Sequence, residues 1–240
     1  MTPDIGQIWV YLSASPLLGL TITLLAYQGA YSIYQRSGCN PLANPVLIAV
    51  TALVLFLTAT GTDYETYFAG AQFVHFLLGP ATVALAIPLY TQFRRVRSML
   101  WPVLAGLLAG SLTAIISAVA VGRIAGASAS TQLSLAPKSV TTPIAMGIAE
   151  RIGGVPSLTA VLVIITGILG ALGARPLFRM MKLRDPAIEG FAIGIASHGI
   201  GTARAFQINE QSGAFAALAM GLNGALTAML VPVLMRWLSP

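Results

Sequence analysis

Two short stretches hold most of the side chains in this chain that could do chemistry. The first, Leu135-Ala-Pro-Lys-Ser-Val-Thr-Thr-Pro-Ile-Ala-Met-Gly-Ile-Ala-Glu150, sets one lysine and three hydroxyls between two prolines. Thr142 followed by Pro143 reads as an N-cap and a first-turn proline, so a short helix is expected to begin there and run to about Glu150, while Pro137 argues against a helix continuing from upstream. The second is Gly190-Phe-Ala-Ile-Gly-Ile-Ala-Ser-His-Gly-Ile-Gly-Thr-Ala-Arg-Ala-Phe-Gln207. Here Gly199 and Gly201 free the backbone for turns, Thr202 can cap a helix, and Arg204 falls in that helix's first turn. A cation there opposes the macrodipole until an anion arrives. Two half-helix N-termini that carry hydroxyls and cations are the chemistry of a midplane anion site.

The expected site therefore uses Lys138 and Arg204 for charge. Ser139, Thr141, Thr142, Ser197 and Thr202 supply hydrogen bonds, with the backbone at Gly199 and Gly201. Asn44, in an Asn-Pro break, is a lesser candidate. His198 is the candidate proton carrier, because its reference pKa of about 6.5 puts its charge change in the physiological range. Each residue also has a plainer reading: Lys138 as a snorkelling lysine, His198 as a hydrogen-bonded structural histidine, Arg204 as a loop residue beyond the membrane. No His-Glu-x-x-His pair, Gly-x-Ser-x-Gly elbow or phosphate-binding Gly-rich loop occurs, so neither an enzyme nor a bound cofactor or metal is expected.

The elements that must position these stretches are membrane spans. Of the 240 residues 56% are hydrophobic and only 8% charged, against about 25% charged in a soluble domain, and so few charges cannot make a water-facing surface. The formal charge of +6 comes from 13 Lys and Arg in short clusters between apolar runs, which marks topology and not nucleic-acid binding. With 24 Gly and 14 Pro, a polytopic bundle embedded in the lipid bilayer is expected. The single Cys39 allows no disulfide framework, and Met1 to Gln7 carries no basic residue of the kind that opens a cleaved signal peptide.

A span needs about 20 mainly apolar residues, and six stretches meet or approach that: Ile8–Tyr34, Asn44–Thr60, Ala69–Phe93, Ser98–Val121, Ser157–Ala174 and Ser212–Trp237. Gly79-Pro80 and Pro88 should kink or break the third. The fold expected is an all-α membrane protein, one integral membrane domain over residues 1–240, with about six transmembrane helices and two broken segments near 132–154 and 185–207. Arg94, Arg95 and Arg97 follow the third span, and Arg175, Arg179, Lys182 and Arg184 follow the fifth, whereas Asp63 and Glu65 follow the second. The positive-inside rule puts both basic connections in the cytoplasm and the Asp63 connection outside. That works if Gln132–Gly154 re-enters from the outer side and Asp185–Gln207 from the inner side, with both termini outside. If Gln132–Gly154 spans instead, the second basic connection is forced outward. Gly106-Leu-Leu-Ala-Gly110, Gly167-Ile-Leu-Gly170 and Gly221-Leu-Asn-Gly224 supply small residues for close helix packing.

The chain resembles the LrgB/CidB family of bacterial inner-membrane proteins, which includes the YohK proteins and the membrane part of the plastidal glycolate/glycerate translocator. The resemblance rests on Asn44-Pro-Val-Leu-Ile, on Phe76-Leu-Leu-Gly-Pro-Ala-Thr-Val-Ala-Leu-Ala-Ile-Pro-Leu-Tyr90, on the stretch from Leu135 through Met146 to Gly154, and on Ala196-Ser-His-Gly-Ile-Gly-Thr-Ala-Arg-Ala205. It implies residence in the bacterial inner membrane and two alternative activities. One is transport of a small monocarboxylate such as glycolate, glycerate or pyruvate. The other is holin-like modulation of murein hydrolase export and autolysis with a small LrgA/CidA-like membrane subunit. A homo-oligomer is expected in either case. Broken helices with convergent cations and hydroxyls favour the transporter, since a holin lesion needs no selective anion site.

Overall fold

A computed structural model of the chain describes residues 16–38, 43–77, 80 and 83–238. The signal-peptide reading at Met1 to Gln7, the lone Cys39 and the Gly79 half of the Gly-Pro break lie outside them. The described residues form helices and turns without strands, in two compact units, Met1–Ala84 and Leu85–Pro240.

The first unit holds α1 (Pro16–Arg36), α2 (Pro45–Thr60) and α3 (Tyr64–Phe76). Asn44 is the N-cap of α2, its Oδ1 accepting from the amides of Val46 and Leu47 at 2.9 and 3.2 Å, which is why a helix starts immediately after it. Gly61 ends α2 in the left-handed conformation. The exposed Asp63 then caps α3, and the hydroxyl and amide of Thr66 hold its carboxyl below the usual carboxylate value. Helix α1 packs on α3 where Gly19 meets the Tyr67 carbonyl and Thr23 shares a 2.7 Å hydrogen bond with the Tyr67 hydroxyl.

The second unit runs α4 (Ala86–Thr91), α5 (Phe93–Ser98), α6 (Leu100–Ile124), α7 (Ala129–Leu135), α8 (Thr142–Ile152), α9 (Pro156–Met180), α10 (Pro186–Ile208) and α11 (Glu210–Leu238). Helices α6, α9 and α11 are each long and apolar enough to cross a membrane. The six expected spans are thus matched in part. Residues 45–60 form an apolar helix of only 16 residues. The third stretch is divided between α3 and α4, with Pro88 in the first turn of α4, where a proline is tolerated, and not interrupting a longer helix. The fifth runs past Ala174 through Pro176, so Arg175 and Arg179 stand on the last turns of α9 and not in a loop.

Long apolar side chains face outward along these helices, among them Leu104, Leu108, Ile116, Leu169 and Met229. A lipid solvent accounts for that distribution, because water would not. The basic connections lie at one end of the unit, where Arg95 donates two hydrogen bonds to Asp185 at 2.7 and 2.8 Å. Asp185 also caps α10 through the Ala187 amide. Both expected broken segments are hairpins. In the first, α7 and α8 are joined by residues 136–141, and the last turn of α7 is latched to the residues that follow α8, where Ser134 Oγ accepts from the Val155 amide at 2.8 Å and the Ser134 carbonyl accepts from Thr159. Neither arm is long enough to cross about 30 Å of hydrocarbon. In the second, α10 folds back at His198, the residue with non-helical dihedrals inside it. Ala205 on the returning arm packs with Ile193 on the entering arm, Phe178 and Ala216, a contact that a straight helix, rising 1.5 Å per residue, could not make.

Candidate functional site

The two hairpins enter from opposite ends of α9 and their tips meet near its middle. Thr159, close to the start of α9, belongs to the latch of the first hairpin. Phe178, close to its end, packs beside the arms of the second. Between them, the ring of His198 hydrogen-bonds the Val163 carbonyl at 3.0 Å, and a methyl on Gly167 would lie 2.8 Å from the His198 ring. A methyl on Gly170 would overlap the Ser197 hydroxyl. These glycines are gaps in α9 into which the second tip fits. The entering arm lies on α11 in the same way, Gly190 against Ser212 and Gly194 against the Ala216 backbone. Ser212 Oγ donates to the Pro186 carbonyl at 2.9 Å and closes the base.

A cavity of about 1240 Å³ opens along α6, α9 and the entering arm of α10. At the basic end its walls include Met99, Pro102, Leu177 and Ala187, and at its inner limit Lys138, Ser139 and Ser197 face it together with Thr113 and Thr166. Beyond the tips, Ile115, Val119, Ala136, Val140, Ile148, Val163 and Val231 pack into an apolar plug. The cavity and the apolar plug thus share no residue.

The Lys138 ammonium has a single partner among the described residues, the Ser139 hydroxyl at 3.3 Å, and no carboxylate in ion-pair range. Ser197, 1% exposed, is the one buried side-chain group among the described residues whose oxygen has no hydrogen-bond partner. An uncompensated ammonium and an orphan hydroxyl in mostly apolar walls are both costly.

The expected site residues divide. Lys138, Ser139 and Ser197 come together on the cavity. Thr141 and Thr142 sit at the first hairpin's tip but are not among the lining residues, and the N-cap is Thr141, not Thr142, because Pro143 occupies the second helical position. Thr202 does not cap: it is buried, and its hydroxyl donates to the His198 carbonyl at 2.8 Å. Gly199 and Gly201 have no positive φ; His198 itself takes it, at φ 41° and ψ −133°, a region that favours glycine and costs a β-carbon residue about 1–3 kcal/mol. Gly201 instead makes room for Ile193 and Ser197. Because the arm restarts at residue 199, Arg204 lies in its second turn and near its C-terminal end, so the expected conflict with the macrodipole does not arise. Arg204 Nη1 donates to Gln207 Oε1 at 3.0 Å, away from the cavity lining. Asn44 is a helix cap in the other unit.

Sequence reasoning missed Asn223, 1% exposed on α11. Its Nδ2 donates to the carbonyls of Ser139 and Ile195 at 3.3 and 3.1 Å, one on each hairpin tip. Its signal was available: an amide in an apolar span is expensive unless bonded.

Residues 23–237 match the LrgB-like family. The chain belongs to that family. Relatives cover this LrgB-like chain almost end to end. The uncharacterized protein YwbG of Bacillus subtilis (strain 168) is 34% identical over 222 residues, 92% of this chain and 98% of its own. The antiholin-like protein LrgB of Bacillus cereus (strain B4264) is 31% identical over 225 residues, 93% and 97% of the two chains. Its counterpart in Bacillus anthracis (strain CDC 684 / NRRL 3495) has the same identity and coverage. No solved structure matches the LrgB-like chain.

Proposed function

We propose that this chain is a carrier for small monocarboxylates of the glycolate, glycerate or pyruvate type. The observation behind the reading is Lys138, an ammonium with no carboxylate partner among the described residues, on a cavity that is also lined by Ser197, whose buried hydroxyl lacks a hydrogen-bond partner. The carboxylate sits on Lys138 and the substrate's hydroxyl or keto oxygen on Ser197. The opposed hairpins, open to the basic end and plugged at the other, suit alternating access. Inner-membrane residence with the basic end in the cytoplasm and both termini outside, a homo-oligomer, and an LrgA/CidA-like subunit belong to the same reading.

The names of the Bacillus cereus and Bacillus anthracis relatives favour a second reading, an antiholin-like regulator of autolysis, and that reading has at least equal support from the relatives. Purified chain in proteoliposomes separates the two. The carrier takes up radiolabelled glycolate, pyruvate or lactate saturably, with or without a pH gradient, and Lys138→Gln abolishes this. Absence of uptake for all three, with and without an LrgA-like subunit, together with altered autolysis when the chain is deleted, supports the regulator and overturns the carrier.

A further inference from the structure

The polar network behind the cavity is closed around one side chain. Asn223 Oδ1 accepts from Ser111 Oγ at 2.6 Å and from Thr227 Oγ1 at 3.2 Å, while Nδ2 donates to the Ser139 and Ile195 carbonyls. The amide's orientation is fixed by its neighbours, because a flipped amide would set its oxygen against two carbonyls, which can only accept. Ser139 adjoins Lys138, and Ile195 stands two residues before Ser197. Asn223 Nδ2 supplies a side-chain donor to the Ile195 carbonyl just before the reversal at His198. One NH₂ group therefore holds the backbone behind the cation on one hairpin and the backbone behind the orphan hydroxyl on the other, although the hairpins enter from opposite ends.

We infer that Asn223 is a positioning residue that joins the two hairpin tips and sets the spacing between the Lys138 ammonium and the Ser197 hydroxyl. Its link to affinity rests on the carrier reading, while its role as a joint does not. Ser111→Ala is the matched control, since it disturbs the same buried network and leaves both tip bonds in place. In a Cys39→Ser background, Ser139→Cys with Ile195→Cys puts thiols on two cavity-lining residues whose carbonyls share one nitrogen. Oxidant-driven cross-linking should be efficient with Asn223, fall several-fold with Asn223→Ala, and persist with Ser111→Ala. In uptake assays with radiolabelled pyruvate, glycolate and lactate, Asn223→Ala, which removes both tip bonds, should raise KM about tenfold, equivalent to about 1.4 kcal/mol, with a smaller change in kcat; Ser111→Ala should stay within about twofold. Asn223→Ser, which retains a hydroxyl donor, replaces the alanine variant if that variant does not fold, and should fall between it and the parent. Unchanged cross-linking in the folded Asn223 variant, or an equal loss in Ser111→Ala, overturns the inference. If the parent takes up none of the three acids, the carrier reading fails alone and cross-linking still decides the role of Asn223.

Discussion

The two hairpins solve one problem by different means. The first turns through six residues, 136–141, and each of its arms ends on local sequence signals: Pro137 upstream, Pro143 in the first turn of α8, and Gly153 in the left-handed conformation after it. The second reverses on a single histidine at a glycine-like φ, and what holds that residue comes from elsewhere, the Val163 carbonyl and the gaps at Gly167 and Gly170. Local chemistry specifies the first tip and tertiary packing specifies the second. Their responses to substitution should differ accordingly.

The largest difference is expected at glycines. A methyl at Gly190 or Gly194 would overlap the backbone of α11, which cannot yield as a side chain can, so Gly190→Ala and Gly194→Ala should each cost about 3 kcal/mol or more and yield little monodisperse protein in detergent. Gly147, on the returning arm of the first hairpin, has nothing within 4 Å, and Gly147→Ala should raise the melting temperature, by about 0.5–1 kcal/mol of helix propensity. Equal outcomes would break the contrast.

A smaller effect sharpens it at the latches. Ser134 Oγ carries a 2.8 Å bond from the Val155 amide, so Ser134→Ala leaves a part-buried donor unpaired and should cost about 1–3 kcal/mol. Ser212→Ala removes a donor from the Pro186 carbonyl, but the close contacts of Gly190 and Gly194 still hold the base, and the loss should be about 1 kcal/mol or less. Thermal melts of the two variants side by side read the difference. A larger loss in Ser212→Ala would mean that the second hairpin relies on its latch after all.

The same division explains what could be read in advance. The start of the helix at Pro143 was legible to within one residue because proline fixes φ and lacks an N–H wherever it occurs, while its end at Ile152 lies two residues beyond the expected Glu150. Composition and the apolar runs made the all-α membrane fold legible, along with α6, α9 and α11. The tip at His198 was legible only as a region. Two glycines nearby were the expected hinge, but the residue that bends is chosen by a carbonyl on another helix. Misplacing that hinge by a few residues moved Arg204 from a helix's first turn to its second and removed the physical argument for it. Lys138 keeps the place expected of it in the chain, on the cavity wall, because its setting depends on the local, well-signalled hairpin. Asn223 went unnoticed between Gly221 and Gly224, which drew attention as packing residues; that its amide spans both tips is a property of the assembled fold alone.

In the proposed carrier, one cation, Lys138, waits for an anion. Thermal stability of the purified chain, measured with and without pyruvate, glycolate or lactate, tests it most directly, since a ligand that binds the folded state raises its apparent stability. Lys138→Gln should fold, melt no lower than the parent without ligand because an uncompensated charge has been removed, and show no ligand-induced shift, while Arg204→Gln should keep the shift of the parent. A shift retained in Lys138→Gln and lost in Arg204→Gln would overturn the role of Lys138 and return the anion to the second hairpin.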